Sequence, residues 1–128
     1  VLIADDERDL AEVARALLER LGYEVVVVSD GEELLERADA GDIDVMLLDV
    51  MMPRLNGAAA AQMLRARGIG TPIVLMSGYA EDELVARGLT ADSTSFLKKP
   101  FLGSELINAI RGAVKGSGHR MATADAAS

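Results

Sequence analysis

The chain has 128 residues, half of them apolar, with no Trp, no Cys and a formal net charge of −8. One domain of this length buries a single core, here an aliphatic one, and the acidic total argues against nucleic-acid binding through a general basic surface. The lack of cysteine excludes a disulfide framework and a thiolate metal site and fits a cytoplasmic setting. No apolar run approaches the roughly 20 residues that span a bilayer, and no basic region precedes the first apolar run as a secretory leader requires. Val at position 1 is expected of an excised fragment, or of a chain whose first residues are not counted in this numbering.

Residues 1–4, "VLIA", form the first expected strand and run directly into Asp5, Asp6, Glu7, Arg8 and Asp9. Leu10, Val13, Ala14, Leu17, Leu18 and Leu21 then recur at helical spacing, and Gly22 stands where a helix ends. "EVVVV" (24–28) is a β-branched second strand. Asp30 and Glu33 have capping-box spacing and lead a short helix to about Ala40. "VMLLD" (45–49), apolar on both faces, suits the centre of a parallel sheet. The loop "VMMPRLNG" follows, then a helix over 58–68, a strand "PIVLMS" (72–77) and a thinly apolar helix over 81–89. "SFLKK" (95–99) is a fifth strand. The last helix, 104–115, carries Leu106, Ile107, Ile110 and Val114 on one side. Residues 116–128, beginning "GSGHR", are expected to be a flexible tail or linker, in which the lone His119 is inert.

Strands alternating with helices predict a single doubly wound α/β domain over residues 1–115, with a parallel sheet covered on both faces. Ligands of such sheets bind outside the carboxyl ends of the strands. Those ends carry Asp5 and Asp6, Asp49, Ser77, and Lys98 with Lys99. Each has an ordinary reading by itself: an Asp after a strand caps a helix, a Ser makes a turn, and lysines solvate a strand end. Together they describe a site. Gathered carboxylates repel one another, and a hard cation such as Mg²⁺, with an ammonium beside it, relieves that cost.

The segments "ADDE", "LLDVMMPRLNG", "VLMSGYA" and "FLKKPF", in this order over residues 1 to about 115, resemble the signature segments of the response-regulator receiver domain of two-component signalling. The resemblance implies a five-stranded, flavodoxin-like parallel sheet of order 2-1-3-4-5 with five helices. It implies that Asp49 accepts a phosphoryl group from the phosphohistidine of a sensor histidine kinase or histidine phosphotransfer protein. Asp5 and Asp6 match the acidic pair that holds Mg²⁺, Asp6 directly and Asp5 through water, with Asp49 and the Met51 carbonyl as further ligands. Ser77 matches the hydroxyl that bonds the phosphoryl group, and Lys99 the lysine that pairs with the acceptor, Lys98 being the weaker candidate. The Lys99–Pro100 bond is expected to be cis. Phe96 falls at the aromatic position that swings inward with Ser77, so the fourth strand, fourth helix and fifth strand form the switching face. Met51 and Tyr79 fall at positions that tune dephosphorylation.

Two other functions are weighed against this one. An aspartate-nucleophile phosphatase of the haloacid-dehalogenase type needs a second Asp two residues after the nucleophile, where this chain has Met51. A degenerate receiver that only binds partners would lack acceptor-site residues, and all are present. The expected protein is thus a self-modifying switch and not a turnover enzyme. It is either a stand-alone receiver or the receiver portion of a larger hybrid histidine kinase or transcription regulator, which "MSGYAE" resembles. No membrane contact and no direct nucleic-acid contact are expected of this segment, and a phosphorylation-linked homodimer is compatible with it. Glu7 and Asp9 are expected only to supply the acidic first turn of the following helix.

Overall fold

Parallel strands cannot be joined by tight turns and need crossovers, which the helical segments between the apolar runs supply. A computed structural model describes residues 1–39, 41–52, 55–91 and 94–121, with residues 116–121 as backbone only. The elements in order are β1 (Leu2–Ala4), α1 (Arg8–Arg20), β2 (Val26–Val28), α2 (Gly31–Asp39), β3 (Met46–Asp49), α3 (Gly57–Ala66), β4 (Ile73–Ser77), α4 (Glu81–Ala86), β5 (Thr94–Lys98) and α5 (Gly103–Met121). The strands pair in parallel in the order β2-β1-β3-β4-β5. This is the doubly wound, flavodoxin-like architecture expected from the sequence.

Strand periodicity divides the core into two layers. Leu2, Ala4, Met46, Leu48, Ile73 and Leu75 face the layer that holds Leu34 of α2, Leu64 of α3 and Leu84 of α4. Ile3, Leu47, Val74 and Met76 face the other, against Ala14 and Leu18 of α1 and Leu106 and Ile110 of α5. Every residue of β3 and β4 is buried. Each fully buried aliphatic side chain there contributes about 2 kcal/mol, so these central strands are close-packed on both faces.

The helix ends follow from local chemistry. Asn56 caps α3 by accepting from the Ala59 N–H at 2.7 Å. At α2 the Glu33 N–H donates to Asp30 Oδ1 at 2.9 Å, while Glu33 Oε1 accepts from the Ser29 N–H at 3.1 Å. The expected reciprocal box is therefore present, but its return bond reaches one residue beyond the cap. Gly22 ends α1 at φ +95°, a left-handed conformation that a side chain disfavours.

Three expectations change. The buried stripe of α1 is Ala11, Ala14 and Leu18, whereas Val13 and Leu21 are exposed. Ala11 and Ala14 pack beside Leu18 in the core, with Leu17 partly buried at its margin. The fourth helix stops at Ala86, short of residue 89, with only Leu84 buried. The fifth helix runs through Met121, past residue 115 where it was expected to end. Glycine lowers helix propensity without forbidding the conformation. The rest of the expected tail, residues 122–128, lies outside the described residues, as does Ala40 at the expected end of α2.

Candidate functional site

One more backbone bond beyond each strand holds the polar residues at the carboxyl edge of the sheet. The Asp5 N–H donates to the Val28 carbonyl at 3.1 Å, the Val50 N–H to Met76 at 2.8 Å, and the Lys99 N–H to Ser77 at 2.7 Å. Gly57 fits the same region tightly: a Cβ there would lie 2.3 Å from the Asp49 carbonyl oxygen, so only glycine lets α3 begin against the end of β3. Among the described residues the buried polar side chains are Asp5, Asp49 and Ser77, and all stand at this edge.

The fold brings the expected residues together. Oxygen atoms of Asp5, Asp6 and Asp49 lie within 4.8 Å of one another, with Asp5 and Asp49 buried and Asp6 exposed. Lys99 Nζ donates to Asp5 Oδ2 at 3.0 Å and to Asp49 Oδ2 at 3.2 Å. The Met51 N–H donates to Asp49 Oδ1 at 3.1 Å, which keeps that peptide against the carboxylate. The Lys99–Pro100 peptide is cis, as expected. Lys98 is exposed and its Nζ lies 3.5 Å from the Lys99 carbonyl, so the ammonium in the site is that of Lys99.

Electrostatics follow from this packing. Burial raises the Asp49 carboxyl most, and the Asp5 charge and an Asp5 hydrogen bond add to it, against the lowering by Lys99 and the Met51 N–H; the result is about 7. Burial by itself would lower the Lys99 ammonium, but the Glu7 and Asp5 hydrogen bonds and the Asp49 and Asp5 charges outweigh it and hold it above its usual value. One lysine facing several carboxylates leaves the cluster with surplus negative charge. A hard, oxygen-seeking cation fits such a donor set, since it needs carboxylates close together and tolerates waters in its remaining positions.

The side chains of Ser77 and Phe96 hold contacts outside this cluster. Ser77 Oγ accepts from the Tyr79 N–H at 3.0 Å, within its own turn. Phe96 is half-buried and packs on the layer that holds Leu84 and Tyr79. Arg87, just past α4, lies 4.7 Å from the Tyr79 ring centroid and pairs with Glu83 at 3.1 Å. A cleft of about 570 Å³ opens beside the carboxylates, with Glu7 and Lys99 on its polar side and Leu10, Met51 and Phe101 on its apolar side.

Glu7 is the residue that sequence reasoning missed. Its Oε1 lies 2.8 Å from Lys99 Nζ, although it was expected only to face a helix dipole. It occupies the N-cap of α1 and makes no side-chain cap bond there. A glutamate at a position that favours Asn, Asp or Ser was the available signal. Asp9, by contrast, lies in the first turn as expected.

The fold and this acidic crevice define a doubly wound α/β domain with a candidate cation site at the carboxyl edge of its sheet, and comparison with known proteins identifies the family. The model of the response regulator receiver domain matches residues 1–111, and the chain belongs to that family. It is 36% identical over 117 residues to the transcriptional regulatory protein CpxR of Escherichia coli K12, covering 91% of this chain and 50% of CpxR. It is 34% identical over 106 residues to the alkaline phosphatase synthesis transcriptional regulatory protein PhoP of Bacillus subtilis, covering 83% of this chain and 44% of PhoP. The chain thus spans about half the length of the curated relatives it matches. Among solved structures, the receiver domain of the Francisella response regulator 1452 superposes with a TM-score of 0.79 at 30% identity, covering 91% of this chain and 96% of that one. The receiver domain of a signal transduction histidine kinase from Syntrophus aciditrophicus does so at 0.79 and 26%, covering 90% and 89%. The chain is a response-regulator receiver domain. Among the described residues, no helix is long and apolar enough to cross a membrane.

Proposed function

We propose that Asp49 is the phosphoacceptor of this receiver and takes its phosphoryl group from a phosphohistidine on a sensor histidine kinase or histidine phosphotransfer protein. The observation that carries this is Lys99 Nζ bridging the buried Asp5 and Asp49 carboxylates beside the exposed Asp6. In the transfer, an Asp49 oxygen forms the new O–P bond as the donor's N–P bond breaks, and that electron pair returns to the imidazole nitrogen. Phosphoryl transfer asks a protein chiefly for positioning and charge stabilisation. Asp5, Asp6, Asp49 and the Met51 carbonyl would hold Mg²⁺, which supplies charge neutralisation at the carboxylates and the phosphoryl oxygens. Lys99 would neutralise further charge at Asp5 and Asp49. Ser77 would exchange its Tyr79 contact for the phosphoryl group, with Phe96 repacking and α4 and β5 following by population shift.

This reading makes the domain a catalyst of its own modification only, working in the cytoplasm within a larger regulator in which residues beyond the receiver lead to the output. A small-molecule phosphodonor with Mg²⁺ tests it. Wild type should form an acid-stable, base-labile acyl phosphate seen as a phosphate-sensitive gel shift, and Asp49→Asn should form none. Equal labelling of the two proteins would refute the assignment.

A further inference from the structure

Lys99 has its shortest carboxylate contact with neither buried aspartate. Its Nζ lies 2.8 Å from Glu7 Oε1, against 3.0 Å for Asp5 and 3.2 Å for Asp49. An ammonium has three N–H donors, and these three carboxylates take them all. A phosphoryl oxygen arriving at Asp49 can therefore gain Lys99 only by displacing one partner. Asp5 and Asp49 have side chains 1% and 4% exposed and are held at strand ends, whereas the Glu7 side chain is 63% exposed on rotatable bonds. Glu7 is the partner able to leave. It also lines the cleft that reaches Asp49, so the route to the acceptor passes beside it. An exposed ion pair of this kind contributes little to folding, and the fold does not depend on it.

We propose that Glu7 is a positioning residue that holds Lys99 in the unphosphorylated arrangement and competes with the incoming phosphoryl group for it. The contact sets how readily Asp49 is loaded. This inference rests on the assignment of Asp49 and Lys99 above and adds a residue that opposes the reaction.

The test compares the full chain as wild type, Glu7→Gln, Glu7→Ala and Asp9→Asn. Asp9 lies in the first turn of α1, so Asp9→Asn makes the same charge change two residues away. Loading by acetyl phosphate with Mg²⁺ is followed by intact mass, and beryllium fluoride and Mg²⁺ alone are titrated by amide NMR. Both Glu7 variants should load about threefold to fivefold faster and half-saturate at correspondingly lower beryllium fluoride, as expected for release of one exposed ion pair. Mg²⁺ affinity should stay equal or fall, because a nearby negative charge has been removed. Asp9→Asn should match wild type. Loading of the Glu7 variants at or below the wild-type rate would overturn the proposal, as would an equal gain in Asp9→Asn, which would mark a general charge effect. Failure of wild type itself to load at Asp49 would overturn the underlying assignment instead.

Discussion

β3 and β5 each deliver a site residue at the carboxyl edge, but they are built differently. β3 lies between β1 and β4 and every one of its residues is buried. β5 is one of the two sheet edges, with Lys98 and Ser95 exposed and only Leu97 buried. The α4 helix before it is six residues long and buries Leu84 alone. A residue fixed in β3 moves only if the close-packed core moves, whereas a thinly buried edge opens locally at low cost. The acceptor candidate Asp49 thus sits on the stiff strand, and Phe96 sits on the compliant one, with Lys99 just past its end. This division suits a switch whose chemistry must stay in place while its surface responds.

The comparison can be broken by mutation, beginning with the largest effect. Leu48→Ala on β3 should cost about 4 kcal/mol in chemical denaturation. Lys99→Met should cost about 3 kcal/mol at pH 8, because it leaves Asp5 and Asp49 buried without their cation. A similar stability for Lys99→Met and wild type would mean that the ammonium does not balance these carboxylates.

Asp49→Asn should act in the opposite direction. A carboxyl raised from 3.8 to about 7 in the folded state binds its proton more tightly when folded. Its contribution to stability is greatest below the unfolded value and is lost as pH rises toward 7. Asp49→Asn should therefore be more stable than wild type at pH 8 in Mg²⁺-free buffer, by about 2–3 kcal/mol, with the difference vanishing near pH 4. Thermal melts across that range check it. Leu84→Ala should cost about 2 kcal/mol and raise amide exchange in α4 before the rest of the fold. Arg87→Ala, which removes the contact with Tyr79 and the pair with Glu83, should cost only about 0.5 kcal/mol.

Much of this was legible in the sequence because polar residues interrupting apolar runs mark strand ends. Asp5, Asp49 and the Lys98-Lys99 pair could be placed at one edge from chain order alone, and the choice of Lys99 came from the family resemblance, which matches the lysine before Pro100. Glu7 could not be found that way, since it lies past the strand end at the N-cap of α1, where an acidic residue already has a helix-dipole reading. The face of α1 was read in part: Ala14 and Leu18 are buried as expected, but spacing weights Leu and Val, so exposed Val13 and Leu21 were included and buried Ala11 was not. The role of Gly57 was hidden for a similar reason: Asn-Gly reads as a turn, while the structure uses Asn56 as a cap and Gly57 for contact with the Asp49 backbone.

The central claim, a fixed acceptor strand beside a responsive edge, is tested most directly by amide hydrogen exchange with Mg²⁺, with and without beryllium fluoride. In the free protein, β3 amides should exchange at least about tenfold more slowly than those of α4 and β5. Beryllium fluoride should then alter exchange mainly in residues 78–91 and β5, leaving Met46–Asp49 in the slowest class. Exchange in β3 as fast as in β5, or beryllium fluoride effects confined to β3, would contradict the account.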